Sequence, residues 1–514
     1  MLKLNKFSLL FSLILMLLSA CSSSEGANSP SGAENKNQET NQNKELTFLS
    51  NFPSETMDPH LNWTPLRAGI VETLVKINED LQIEPWLATE WSSEDGQTWT
   101  FNIRENITFQ NGNKLDAAAV KASFERLIVV SDSMKNALKI QSMNAEGQTL
   151  TIITEEPLPQ FPSELVHPNA AIIDATEENF EQKPVGTGPF MVDAFEAGTK
   201  VTLKSYEQYW DGKPKLNSVI LTFNDDANAR TLALQSGDAD ISFRPAIESI
   251  EMLQGDSSIK SDVAPSSRTH LLMYNTNKEA LSDVKLRKAL DAMLDRDAIV
   301  ASIMANQATA AYGPFLPQFP FAPDYEKKQF SMDLAKKYLE EAGYEIVNGE
   351  AKKDGKPLTL TVVTYSYRPE LPLISQLLQS NAKQLGIKIN IQVVENIDEY
   401  LMTTDWDLAT YSLNTAPRGD ASYFLNSVYM PGGAMNFSKL EHESLKPIIN
   451  ELNGTIEEDM RIQLAKEAVS IIDEEYLHSS IVYPNIFVAH KDSVEDWVTN
   501  KSEFYMITKD LGVK

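Results

Sequence analysis

From residue 46 to the end of the chain, short alternating apolar segments follow longer helical ones, a pattern that predicts an α/β architecture. Strands are expected at 46–50, 150–154, 201–204 and 219–223, with turns at Asp95-Gly96, Asn111-Gly112 and Asp211-Gly212. Between them, 116–130 carries Ala119, Val120, Phe124 and Leu127 on one face, the stripe of an amphipathic helix. A second block opens with a strand at 270–274 and a helix from Val284 to about Asn306. Ser331 caps a helix that ends at Gly343, and 370–385 is a helix stopped by Gly386. Strict alternation over 387–391 marks a half-buried strand. A last helix, 456–476, leads into two closing strands, 480–483 and 486–489. Two blocks of similar grammar without a long linker imply two lobes joined by crossing strands. A ligand cleft is expected between them, with hinged closure around its occupant.

The first residues follow another logic. Lys3 and Lys6 precede an apolar run, 7–18, too short to span a bilayer but sized for the core of an export signal. Leu18-Ser19-Ala20-Cys21 comes next and resembles the lipobox of bacterial lipoproteins, in which cleavage before the cysteine leaves Cys21 as the lipidated first residue. Cys21 is the only cysteine, so no internal disulfide or thiolate cluster can form. Residues 22–45 are mostly Ser, Asn, Gln, Gly and Glu and read as a flexible tether. The expectation is a signal peptide at 1–20, a lipidated tether at 21–45 and an extracytoplasmic protein anchored to the cell membrane.

Charge and motifs narrow the function. Lys+Arg number 45 against 72 Asp+Glu, a net charge of −27, and no basic stripe is present, which argues against nucleic acid and against charge-driven membrane binding. No G-x-S-x-G, H-E-x-x-H, P-loop or strand-associated G-x-G-x-x-G occurs. The six histidines, His60, His167, His270, His442, His478 and His490, contain no i, i+4 pair for a closed zinc site. No catalytic residue is assigned, and an exported hydrolase stands only as a remote alternative.

Several segments carry a resemblance. Leu87-Ala88-Thr89-Glu90-Trp91 with Glu94-Asp95-Gly96-Gln97-Thr98-Trp99-Thr100-Phe101, then Phe109-Gln110-Asn111-Gly112, Gly186-Thr187-Gly188-Pro189-Phe190, Leu234-Gln235-Ser236-Gly237-Asp238-Ala239-Asp240, Arg287-Lys288-Ala289-Leu290 and Ala335 to Tyr344 are similar to the family 5 substrate-binding proteins of peptide and nickel ABC importers. The glycines at 186 and 188 are expected to allow a tight turn. The resemblance implies a large, cluster C, periplasmic-binding-protein-like fold with a hinge. Lobe I would comprise 46–268 plus 482–514, with an inserted subdomain at about 80–180, and lobe II 269–481. It also implies a monomeric receptor that hands its solute to an ABC permease and ATPase and catalyses no reaction.

The ligand is less constrained. Where the family's peptide binders hold the ligand amine with an aspartate, this chain places Pro417. Where its best-known nickel binders carry a Pro-Arg-Pro arginine, it has His167-Pro168-Asn169. The look of 414–424 with Gly432-Gly433 resembles the metal-chelate branch, so a small nickel chelate is expected as ligand, with no intrinsic cofactor and an oligopeptide or dipeptide as the alternative. Candidate ligand-binding residues are His60, Asn62, Trp63, Tyr411, Asn414, Thr415, Arg418 and His490. Arg418 is a two-point carboxylate clamp, and His60 or His490 completes the coordination of the metal.

Overall fold

The computed structural model describes residues 44–514. The expected leader, Cys21 and the tether up to 43 lie outside the described residues. The first strand, Glu45–Ser50, starts one residue earlier than its pattern suggested, because Glu45 already pairs with Ser218.

A 12-stranded mixed sheet organises the chain. One half runs outward through Ile241–Phe243, Glu45–Ser50, Ser218–Phe223, Lys200–Ser205 and Phe190–Glu196. The other half runs through Arg268–Tyr274, Leu408–Asn414, Thr359–Tyr365 and Lys388–Val394. Between them lies one strand of 14 residues, His478–Lys491, where two short strands were expected. Pro484 and Asn485, which lie between the two expected strands, are part of the continuous strand. Residues 478–482 of this strand pair with 270–273 of one half, whereas 485–491 pair with Ile259–Pro265 of the other. Its side chains are almost all buried, as expected for a strand covered on both faces.

The second passage between the halves is the short link from Pro265 to Arg268. Ser266 Oγ donates to the Pro484 carbonyl at 2.6 Å, tying the two passages together, and Thr415 N–H donates to the Ser267 carbonyl at 3.0 Å. The halves therefore touch through a narrow hydrogen-bonded waist.

A separate four-stranded antiparallel sheet, ordered Ala88–Ser92, Thr98–Ile103, Thr149–Thr154, Ile140–Glu146, is covered by the helix Ala117–Val130. Asp116 caps that helix by accepting from the amides of Ala118 and Ala119, and Val120, Phe124 and Leu127 are buried. Helices Met332–Glu341 and Glu370–Gln384 match their patterns, the first capped by Ser331. The helix expected from Val284 to Asn306 instead breaks after Ala292. Asp295 caps a new turn there, and the Arg296 guanidinium leaves the helix direction to bond Asp291 and the carbonyls of Ala311 and Ser480.

Gly186 and Gly188, expected to allow a tight turn, do not have positive φ. A Cβ on Gly188 would lie 2.3 Å from the Gly69 carbonyl oxygen, and one on Gly186 the same distance from that of Ile70, so their role is close backbone approach. Gly188→Ala is predicted to cost about 1–3 kcal/mol through overpacking, read as a lowered thermal unfolding midpoint.

Candidate functional site

Four arginines converge where the two halves of the large sheet meet. Arg67 ends the helix Thr64–Arg67 and Arg244 follows the strand Ile241–Phe243, both in one half. Arg268 heads the strand Arg268–Tyr274 and Arg368 precedes the helix Glu370–Gln384, both in the other. Arg67 and Arg368 are buried, and the side chains of Arg244 and Arg268 are only 16% and 17% exposed. Such density of like charge in a low dielectric needs compensation.

Glu503 supplies part of it. Arg244 Nη2 donates to Glu503 Oε1 at 2.5 Å, Arg268 Nε lies 3.8 Å from the same oxygen, and Arg67 Nε donates to the Glu503 carbonyl at 3.1 Å. Burial alone would push the Glu503 carboxyl up, but Arg244, Arg268, Arg368 and Arg67 outweigh it and hold it at about 2. Burial pushes Arg244 down to about 9 and Arg67 to about 10, so both stay charged at neutral pH. Arg244 and Glu503 both adopt left-handed backbone conformations, φ +53° and +65°, which non-glycine residues rarely hold without a functional constraint. The Arg67 guanidinium also lies 3.9 Å from the Phe52 ring centroid and 5.3 Å from that of Trp63.

The second carboxylate here is Glu370, which accepts from His270 Nε2 at 2.9 Å. Burial would raise its pKa, but His270 and Arg368 bring it to about 2. Two carboxylates against four guanidiniums leave a surplus of two positive charges. Several polar atoms at this junction are buried without a partner: Asn51 Oδ1, Arg268 Nε, His270 Nδ1 and Ser412 Oγ. Among the described residues, the Arg368 guanidinium makes no hydrogen bond. An under-neutralised, under-bonded cluster of guanidiniums is a place for an anionic ligand.

The residues expected from sequence divide. Arg418 does clamp a carboxylate, but it is the protein's own: its guanidinium pairs with Glu164 across the two halves and lies 4.7 Å from the Tyr423 ring centroid. Ser163 Oγ donates to the Arg418 carbonyl at 2.9 Å. Ser163 and Gly419 line a cavity of ≈ 760 Å³ walled by Trp91, Trp99, Leu316 and Phe319. Trp63 is edge-on to His167 at 5.5 Å and donates to Asn169 Oδ1.

Other candidates are occupied by the fold. His60 is fully buried, its Nε2 facing the Ala171 carbonyl at 3.2 Å and its Nδ1 accepting from Arg126 at 2.8 Å. Burial, then Arg126, lowers it to about 4. His490 has Asp262 and the Lys491 carbonyl against its two nitrogens, at 3.0 and 2.9 Å. Neither ring offers a free lone pair, which corrects their assignment to metal. Asn62 accepts from the Thr64 amide, Asn414 from Ser267 Oγ, and Thr415 Oγ1 donates to the Pro314 carbonyl, so these three hold turns and the waist. Tyr411 donates to Asp398 at 2.6 Å. Among the described residues no group of three or more His, Cys, Asp and Glu is placed to hold a metal ion.

Comparison with known proteins identifies the architecture. The model of bacterial extracellular solute-binding proteins, family 5 Middle, matches residues 82–436. The chain belongs to the family 5 solute-binding proteins. This family 5 protein is 32% identical over 467 residues to the nickel-binding protein NikA of Staphylococcus aureus, covering 90% of this chain and 93% of that one. Among solved structures, a nickel ABC transporter protein from Bacillus halodurans is 51% identical at a TM-score of 0.80, covering 91% of this chain and 100% of that one. NikA from S. aureus in complex with Ni(L-His)2 is 31% identical at a TM-score of 0.81, covering 92% and 100%. The fold is thus the two-lobed one of this family, with the arginine cluster between the lobes.

Sequence inspection missed Arg67, Arg244, Arg268, Arg368 and Glu503. Only Arg268 left a trace, since it stands two positions before His270 on a strand and so shares its face. The depressed pKa of Glu503 makes its contribution to stability full above about pH 4.5 and lost as pH falls through about 2. Glu503→Gln is predicted to flatten the acid limb of unfolding midpoint against pH, measured calorimetrically from pH 2 to 7.

Proposed function

We propose that this solute-binding protein captures a nickel ion held by a small carboxylate chelator and delivers it to the permease of an ABC importer. The observation that carries the reading is the surplus of buried guanidinium charge between the lobes. Such a site repels a bare divalent cation, so a metal must enter with its charge covered by carboxylates, and those carboxylates are what arginine forks bind. The described residues offer no cluster of metal ligands, which leaves most of the coordination to the chelator. The nickel-binding names of relatives at 32% and 51% identity support the same ligand class.

In this reading lobe I is 46–268 plus 482–514, carrying a subdomain at about 80–180, and lobe II is 269–481. Ligand charge neutralises the arginines and so favours the closed arrangement. The protein acts as a monomer, catalyses nothing, and stands outside the cytoplasmic membrane on a lipid attached to Cys21. Its partners are the permease and ATPase subunits.

Calorimetric titration of residues 44–514 with nickel plus histidine tests the reading. Saturable heat is expected with the mixture and none with nickel chloride alone, and Arg368→Ala is expected to weaken binding by about 2–5 kcal/mol. No heat with nickel and histidine, together with tight binding of a pooled peptide library, would sink it in favour of a peptide receptor.

A further inference from the structure

Arg418 stands apart from the arginines gathered at Glu503, for it has a carboxylate to itself. Glu164 ends the short helix Phe161–Glu164 in one half, whereas Arg418 lies in the loop between the strand Leu408–Asn414 and the helix Ser422–Tyr429 in the other. Both are buried, and both are held from behind. The Phe161 ring lies 6.1 Å from those of Trp99 and Phe101, which fixes its helix on the four-stranded sheet. Across the seam Gly419 has φ +70°, and a Cβ there would lie 2.4 Å from the Leu81 carbonyl oxygen, so the loop bearing Arg418 presses against the first half. Ser163 Oγ holds the same loop through the Arg418 carbonyl. The neighbouring acid, Asp420, is taken by Arg461 at 2.8 Å, which leaves Glu164 as the counter-ion of Arg418.

The pair stands between two spaces. Ser163 and Gly419, its neighbours in sequence, line the cavity of ≈ 760 Å³, while Glu164 and Arg418 themselves do not. On the other side is Tyr423, its ring 4.7 Å from Arg418. Burial pushes the Tyr423 hydroxyl up, and the charges that oppose this are those of Arg418 and of Arg268 in the cluster. A second path runs from Arg67 over Trp63 and edge-on to His167, which burial and then the charge of Arg418 hold well below its usual range. The cluster and the cavity thus approach each other at one ion pair.

We infer that Glu164 is a specificity-determining residue: by holding Arg418 it withholds a fifth guanidinium from the ligand and closes the way from the cluster into the cavity. Capture is thereby restricted to compact chelates that carry no free carboxylate. A ligand carboxylate that took Arg418 would leave Glu164 buried and unpaired, which is the costly way to break a buried pair. This rests on the chelate reading above and sets a limit of size and charge on it.

Citrate is the probe, because in its nickel complex one carboxylate stays off the metal. By calorimetry the unaltered protein is expected to bind nickel–citrate about tenfold more weakly than nickel–histidine. Glu164→Gln, which keeps the volume, and Glu164→Ala, which opens the passage, should each strengthen nickel–citrate by about tenfold and leave nickel–histidine little changed. Adding Arg418→Gln to Glu164→Ala should cancel the gain, and citrate without metal should follow the same order. A gain that requires Arg418 is not produced by loosening of the fold. Equal affinity of the unaltered protein for both chelates, unchanged citrate binding in both Glu164 variants, or a gain that survives loss of Arg418 overturns the role of Glu164 and leaves the chelate reading intact. Absence of nickel–histidine heat in the unaltered protein overturns the chelate reading, and the metal-free citrate series then decides on Glu164 alone.

Discussion

Four guanidiniums gather around the Glu503 carboxylate, and much of the arrangement between the lobes follows from that shortage of negative charge. Glu503 sits in the C-terminal segment beside Arg244 and Arg67, and its field extends to Arg268 and Arg368 in the opposite half. Bringing the halves together concentrates like charge in a poorly solvated space, which is costly unless an anion arrives. An anionic ligand would contribute the counter-charge that this space lacks. Glu370 adds a second carboxylate, and its closest partner is His270.

The waist determines how such a meeting can be regulated. Among the described residues, only the link at 265–268 and the strand His478–Lys491 pass between the halves, and Ser266 binds them to each other at Pro484. A continuous strand resists shear, since sliding would break the ladders on both sides. The pair Arg418–Glu164 adds a contact further out, where the protein places its own carboxylate on an arginine facing the other half. A ligand that reached Arg418 would first have to displace Glu164.

Local patterns were legible in the sequence and long-range electrostatics were not. The cap at Ser331, the stop at Gly386 and the alternation before Ile391 depend on neighbours in the chain, and the structure has them in place. Sequence suggests two strands, 480–483 and 486–489, where the structure has the single strand His478–Lys491, because its continuity is set by partners hundreds of residues away. The helix after Val284 was drawn too long because the bonds that pull Arg296 away reach Ala311 and Ser480. His60 and His270 look alike in sequence. One has both nitrogens engaged and the other has an unpartnered Nδ1, a distinction that exists only once Arg126 and Glu370 are in position. Arg244 and Glu503 are 259 residues apart, and neither carries a motif.

The left-handed backbones of Arg244 and Glu503 bear on how this protein would respond to engineering. Glycine at either position would relax the main chain, and at Glu503 it would leave the arginines without their counter-ion, while at Arg244 it would remove one of the crowded charges. A screen that rewarded heat resistance would therefore part the two sites: glycine at Arg244 relieves backbone strain and crowded charge together, whereas at Glu503 the lost counter-ion works against the relaxed backbone.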